Sequence, residues 1–286
     1  MLFRSSVALT FHKRAGAVLR CHYCDYERAM TPTCTSCSVN AMLLDGLGTE
    51  KLEETLSHVF PAARVARLDR DVAGGRNTER ILDSVRQREI DILVGTQMVT
   101  KGHDLPSVTL VGVINADAAL SLPDFRASER AFQLLVQVAG RAGRGETPGR
   151  VLVQTHDTKH AAIKFAMRHD VDGFLDAELE ERRALAYPPF SRLALLRTDA
   201  LDEQVALAAA ETLAAAARAS ATAGVEVLGP SAAPLARLRN RFRFRVMLRA
   251  KSRAALRTTL MNVLPTLQAL HRDVRAQIDI DPIQLL

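Results

Sequence analysis

Nowhere in the 286 residues does an apolar run approach the roughly 20 needed to cross a bilayer. The amino terminus also lacks the uninterrupted apolar core and small-residue cleavage site of a signal peptide. The expectation is a soluble, cytoplasmic protein with no membrane partner. Cysteine is equally scarce: there are four, all between Cys21 and Cys37. A disulfide framework would be spread over a secreted fold, so this clustering points to a metal site. Acidic residues are missing from one long stretch, Gly229 to His271, which carries Arg237, Arg239, Arg241, Arg243, Arg245, Arg249, Lys251, Arg253 and Arg257. The net charge of +6 is concentrated there, and the remainder is close to neutral. With 48% hydrophobic and 24% charged residues, wholesale disorder and fibrous classes are excluded, and the length allows two domains of ordinary size.

The cysteines form two C-x2-C pairs, Cys21 with Cys24 and Cys34 with Cys37, separated by nine residues. A two-residue spacer lets both thiolates of a pair turn toward one cation, and two pairs complete, in principle, a tetrahedral zinc site. Whether all four meet on one ion is a separate question. His22 and His12 are read as surface or strand histidines rather than as further ligands.

Between Met42 and about Ala186 strands and helices alternate. Thr49 is placed to cap a helix through Phe60, with Glu50 near its positive end and Pro61 closing it. A strand over Val65 to Leu68, a helix over Thr78 to Arg88 and a buried strand over Ile90 to Val94 follow. Val108 to Ile114 repeats the strand pattern, Ser128 caps a long helix, and Val151 to Gln154 is another strand. Such alternation predicts a parallel sheet covered by helices, with ligands at the carboxyl ends of its strands. The residues after Val94 (Gly95-Thr96-Gln97-Met98, then Lys101-Gly102-His103-Asp104) make a small, backbone-exposing turn with a lysine, suited to phosphate. Farther on, Gln137, Arg141 and Arg144 are spaced i, i+4, i+7, so one helical face would carry an amide and two guanidiniums. Two arginines sharing a face without a carboxylate repel each other unless an anion lies between them.

Beyond Pro188-Pro189 the predicted order is strand 193–197, helix 201–219, strand 225–228, strand 242–248, helix 254–270 and strand 278–280. That is the β-α-β-β-α-β succession of ferredoxin-like folds. From Arg241 to Arg249 strict alternation puts Phe242, Phe244, Val246 and Leu248 on one strand face and Arg241, Arg243, Arg245 and Arg249 on the other. Guanidiniums of one sign at this density repel one another, and a polyanion relieves the repulsion, so nucleic-acid phosphate is the expected ligand of Arg241, Arg243 and Arg245.

Taken in order, several of these segments resemble one family. They are Gly46-Leu47-Gly48-Thr49-Glu50, Gly95-Thr96-Gln97-Met98, Lys101-Gly102-His103-Asp104, Pro123-Asp124-Phe125-Arg126, Gln137-x-x-Gly140-Arg141-x-Gly143-Arg144, Tyr187-Pro188-Pro189-Phe190 and Asp279-Ile280-Asp281-Pro282. The pattern resembles the PriA family of replication-restart helicases in superfamily 2. The resemblance implies an α/β fold: a RecA-like second helicase lobe (41–186), preceded by a remnant of a cysteine zinc module (1–40) and followed by a basic DNA-binding domain (187–286). It also implies a role for each motif. Arg141 and Arg144 become arginine fingers on ATP, worth several kcal/mol in a phosphoryl-transfer transition state. Gln137, Gly140, Gly102 and Asp104 lie by the nucleotide, while Thr96 and Lys101 grip the phosphates of the tracked strand. Implied partners are forked or single-stranded DNA, the primosome, single-strand-binding proteins and the remaining half of the helicase.

Two departures from the family pattern qualify this. No Gly-Lys-Ser/Thr phosphate loop occurs, nor a D-E-x-H box for magnesium. ATP and magnesium are therefore expected only alongside a first lobe, and the chain alone is expected to bind DNA without hydrolysing ATP. The family module has eight cysteines holding two zinc ions in crossed pairs. On that pattern Cys21 and Cys24 serve one ion and Cys34 and Cys37 the other, the alternatives being one shared ion or none. The competing function is a non-catalytic zinc-ribbon adaptor that keeps the lobe as scaffold.

Overall fold

The computed structural model describes residues 10–12, 18–20, 27–29, 48–69, 75–96, 99, 105, 108–140, 142 and 148–285. Three short strands, β1 (Thr10–His12), β2 (Val18–Arg20) and β3 (Glu27–Ala29), form an antiparallel sheet in that order. The cysteines lie outside the described residues.

The α/β region begins with α1 (Thr49–Val59), β4 (Val65–Leu68), α2 (Gly75–Arg86) and β5 (Ile92–Gly95). Strands β4 and β5 pair in parallel, and Leu68, Leu82 and Leu105 form a small core beneath them. Gly48, not Thr49, is the N-cap of α1. The Thr49 hydroxyl is instead spent on Asp69, donating to its carboxylate at 2.5 Å. Next come β6 (Leu110–Val113), α3 (Asp117–Leu120), α4 (Ala127–Ala139), β7 (Arg150–Val153), α5 (Ala161–Ala166) and α6 (Val171–Ala184). Strands β6 and β7 pair in parallel, over a core of Ala131, Phe132, Leu135, Ile163 and Phe174. Phe132 and Phe174 stack with centroids 3.9 Å apart. Ser128 does not cap α4, because the helix already starts at Ala127; the carboxylate of Asp124 takes up the Arg126 N–H there.

Parallel pairing is as the alternation predicts, but among the described residues the strands form two two-stranded sheets rather than one continuous sheet. The two pairs differ in cover: in β4 the consecutive residues Arg67 and Leu68 are both buried, so both strand faces are covered, whereas β6 and β7 have one covered face. Leu110 and Leu152 point outward, both 58% exposed, while Val113 and Val153 face the core.

The remaining chain is β8 (Arg192–Ala200), α7 (Glu203–Ala219), β9 (Val225–Leu238), β10 (Arg241–Ala250), α8 (Arg253–Gln268) and β11 (Arg275–Ile280). All neighbours in the sheet are antiparallel, in the order β11-β8-β10-β9, and both helices cover one face. This is the β-α-β-β-α-β arrangement read from the sequence. Asp202 and Ser252 cap the two helices by accepting the N–H groups of Val205 and Ala255. Strand β9 runs ten residues past its expected end because β10 offers it a partner throughout, with register shifts opposite Phe242/Phe244 and Arg245/Met247.

Candidate functional site

Strand β5 ends at Gly95, where the backbone of the neighbouring strand leaves no room for a side chain. A Cβ there would come within 2.5 Å of the Leu68 carbonyl oxygen and overlap the Val99 side chain. The glycine lets the chain turn sharply, leaving Thr96 exposed at the carboxyl end of the strand, where its carbonyl accepts the Val99 N–H at 3.0 Å. Lys101, Gly102 and Asp104 lie outside the described residues.

Helix α4 buries Ala131, Phe132, Leu135 and Val138 and exposes Gln133, Gln137 and Gly140. Gln137 thus stands on the helix face turned away from the lobe's own core. Gly140 keeps nearly helical dihedrals (φ −68°, ψ −1°), and the Ala142 N–H reaches the Ala139 carbonyl at 3.3 Å, so the chain goes on turning past the helix end. Arg141 and Arg144, like the four cysteines, lie outside the described residues.

Asp117 was not singled out from the sequence. It ties the carboxyl ends of β6 and β7, accepting the His156 N–H at 3.0 Å and the Thr155 hydroxyl at 2.8 Å. These two bonds, the backbone one first, hold its carboxyl below the usual range.

In the basic domain the expected facial split holds for three of the four apolar residues: Phe244, Val246 and Leu248 enter the core, Phe242 does not, and the arginines stay on the opposite face. That face is not an open ladder of charge. Arg241 is bonded to the Asp199 carboxylate and to the Asp199 and Asp273 carbonyls, Arg243 to the Leu235 carbonyl at 3.4 Å, and Arg245 to the Leu285 carbonyl at 2.8 Å. All three are half-buried. Burial lowers the pKa of Arg243, with a further push from the Arg197 guanidinium; burial likewise lowers that of Arg245. Phe242 leaves the core and lies under the Arg237 guanidinium, 4.8 Å from its ring centroid.

A third cluster joins the two regions. The ring of Phe125 stacks on that of Tyr187 (5.4 Å, 13°), and Arg182 sits over Phe125 at 5.3 Å. Arg182 also bonds Glu129 at 2.6 Å and Glu178 at 2.8 Å. Burial opposes its charge, but the two carboxylates more than offset that and raise its pKa. The sequence signal was present, since Phe125 and Tyr187 fall in two segments that carried the resemblance without an assigned role.

Among the described residues no group of three or more acidic, histidine or cysteine side chains is arranged to hold a metal. The donor set of Cys21, Cys24, Cys34 and Cys37 itself suits zinc, being four soft thiolates in paired spacing. The chain from Cys21 to Cys24 falls between β2 and β3, whose ends pair Arg20 with Glu27. No helix of the described residues is long and apolar enough to cross a membrane.

Three family models match the chain: the PriA DNA helicase Cys-rich region domain over residues 6–28, the helicase conserved C-terminal domain over 38–146, and the primosomal protein N C-terminal domain over 183–283. Among curated proteins it is similar to the replication restart protein PriA of Bacillus subtilis (40% identity over 98% of this chain and 35% of that protein). Those of Synechocystis (37%, over 98% and 34%) and Haemophilus influenzae (36%, over 96% and 38%) are similar too. The chain spans 35% of the Bacillus subtilis protein's length and 42% of the Treponema pallidum one's. From its zinc-ribbon, helicase-lobe and C-terminal matches alike, the chain belongs to the PriA family of replication restart proteins and corresponds to their carboxyl-terminal portion.

Proposed function

We propose that this chain supplies the second motor lobe and the DNA-engaging carboxyl-terminal domain of an ATP-dependent 3′→5′ DNA helicase that acts at stalled or abandoned forks and promotes primosome assembly. The zinc module takes residues 1–40, the lobe 41–186 and the basic domain 187–286. The observation that carries this reading is the orientation of α4: its apolar side fills the lobe's core, and its outward side carries Gln137 and ends at Gly140. A helix end that turns Gln137 away from its own core, with Arg141 and Arg144 next in the sequence, suits a nucleotide pocket whose other wall, with phosphate cradle and magnesium carboxylate, belongs to a first lobe. Arg141 and Arg144 then stabilise charge on the transferred phosphoryl group. Gln137, Gly140, Gly102 and Asp104 border the nucleotide, and Thr96 and Lys101 contact strand phosphates.

Forked or single-stranded DNA meets the basic domain at Arg241, Arg243 and Arg245. The lowered pKa of Arg243 and Arg245, caused first by burial and then by the Arg197 guanidinium, supports this, because a desolvated guanidinium beside another cation gains from a phosphate. Zinc held by Cys21, Cys24, Cys34 and Cys37 would supply structural cross-links to a segment with few apolar residues. Primosome and single-strand-binding proteins are the protein partners of this reading.

The test is ATP turnover on forked DNA by the purified chain, alone and mixed with a separately produced first lobe from the Bacillus subtilis relative. The chain alone binds DNA without turnover. The mixture hydrolyses ATP, and Arg141→Ala lowers its kcat by about a thousandfold with DNA affinity retained. DNA-stimulated turnover by the chain alone, or full turnover by the Arg141→Ala mixture, would overturn the reading.

A further inference from the structure

Three segments that carried the resemblance without an assigned role, Pro123–Arg126, Tyr187–Phe190 and Asp279–Pro282, are brought by the fold to one junction. At its centre is Asp124, whose side chain is fully buried. Its carboxylate accepts three N–H groups: Arg126 backbone at 3.0 Å, Arg130 guanidinium at 3.0 Å and Leu285 backbone at 3.1 Å. The last spans 161 positions of sequence. The end of the chain is then held carbonyl by carbonyl. Ile283 accepts from Arg130 at 2.7 Å, Gln284 from Arg197 at 3.3 Å and Leu285 from Arg245 at 2.8 Å. Arg130 belongs to α4 of the lobe, whereas Arg197 and Arg245 stand on β8 and β10 of the basic domain. Pro282 and Leu285 are buried in the seam, and Asp281 and Asp279 pair with Arg192 and Arg197 at 3.4 and 3.5 Å.

We propose that Asp124 and Arg130 are positioning residues that latch segment 282–285 onto the start of α4 and so fix that helix to the basic domain. A buried carboxylate with three donors holds its partners firmly, because losing one leaves it short of a hydrogen bond in a poorly solvated place. Helix α4 has 13 residues, a rod of about 20 Å, with the latch at one end and Gln137 at the other. A displacement of the basic domain at the latch is thereby carried along the helix to Gln137. The functional weight of this coupling rests on the helicase reading; the latch itself does not.

Hydrogen exchange on the full chain, without nucleotide or DNA, tests it. Removing residues 283–286, or making Asp124→Ala, speeds exchange of the 127–139 amides about tenfold or more, while α7 and α8 keep their protection as evidence of an intact fold. Asp124→Asn keeps one acceptor oxygen in place of two and gives an effect between those of Asp124→Ala and the parent. Combining the truncation with Asp124→Ala adds little, since both open one latch. If Asp124→Ala does not fold, the truncation and Arg130→Gln carry the comparison. Unchanged α4 exchange in the truncated chain, or fully additive effects, overturns the proposal. Failure of the reconstituted mixture to hydrolyse ATP, with this exchange pattern intact, removes the helicase reading and leaves the latch.

Discussion

The basic domain and the lobe solve the same problem, burying apolar faces of sheets, with different completeness. In residues 192–280 four antiparallel strands share one sheet and two helices close one continuous core, in which Ala210, Leu213, Val246, Leu248 and Val263 are almost wholly buried. In the lobe, two separate strand pairs each sit on a smaller cluster, and β6 and β7 leave Leu110 and Leu152 exposed on the other face. A closed core distributes the cost of any one defect poorly, because no neighbour can move to fill a void.

The largest expected contrast follows from that. Leu248→Ala removes the side chain from the large core of the basic domain and costs about 4 kcal/mol, whereas Leu82→Ala, in a cluster of only three buried residues, costs about 2 kcal/mol. Calorimetry on the two variants checks it; equal losses would erase the distinction between the regions. Next in size is the junction. Arg182→Ala strands Glu178, which is buried, and weakens folding by about 3 kcal/mol, with Arg182→Lys recovering only part because one ammonium cannot bridge Glu129 and Glu178 in the same geometry. Denaturant titration measures both; equal stability for Lys and Arg would mean the forked bonding is idle.

The smallest effect is acid sensitivity of the lobe. The folded-state pKa of Asp117 is depressed, so its stabilising contribution is complete above about pH 4 and fades as pH falls through the lower folded value. Asp117→Asn should flatten that acid limb by lowering the neutral-pH midpoint slightly toward the acid value. An identical pH dependence in the variant would show that the ties to Thr155 and His156 do not act through charge.

Most of the fold was legible because its signals are local. Alternation from Arg241 to Leu248 marked both the strand and its buried face, and the order of six elements sufficed for the ferredoxin-like arrangement. Caps were misread where a hydroxyl had a better use: Thr49 turns to Asp69, and α4 begins a residue before Ser128. The arginines of β10 were legible as a charged face but not as partners of carbonyls. Those carbonyls, on Leu235, Asp273 and Leu285, come from segments that only folding brings alongside.

By itself the sequence determined family, element order and the chemistry on offer: paired thiolates, an amide and two guanidiniums at helical spacing, and a strand of alternating arginine. Those depend on residue type and on separations of a few positions, which helix and strand geometry convert directly into shared faces. Only the tertiary structure decided that Asp124 meets Leu285 and that Phe125 lies on Tyr187. A hydrogen bond across 161 residues has no periodic trace in the chain, because its partners are set by how two independently packed regions dock.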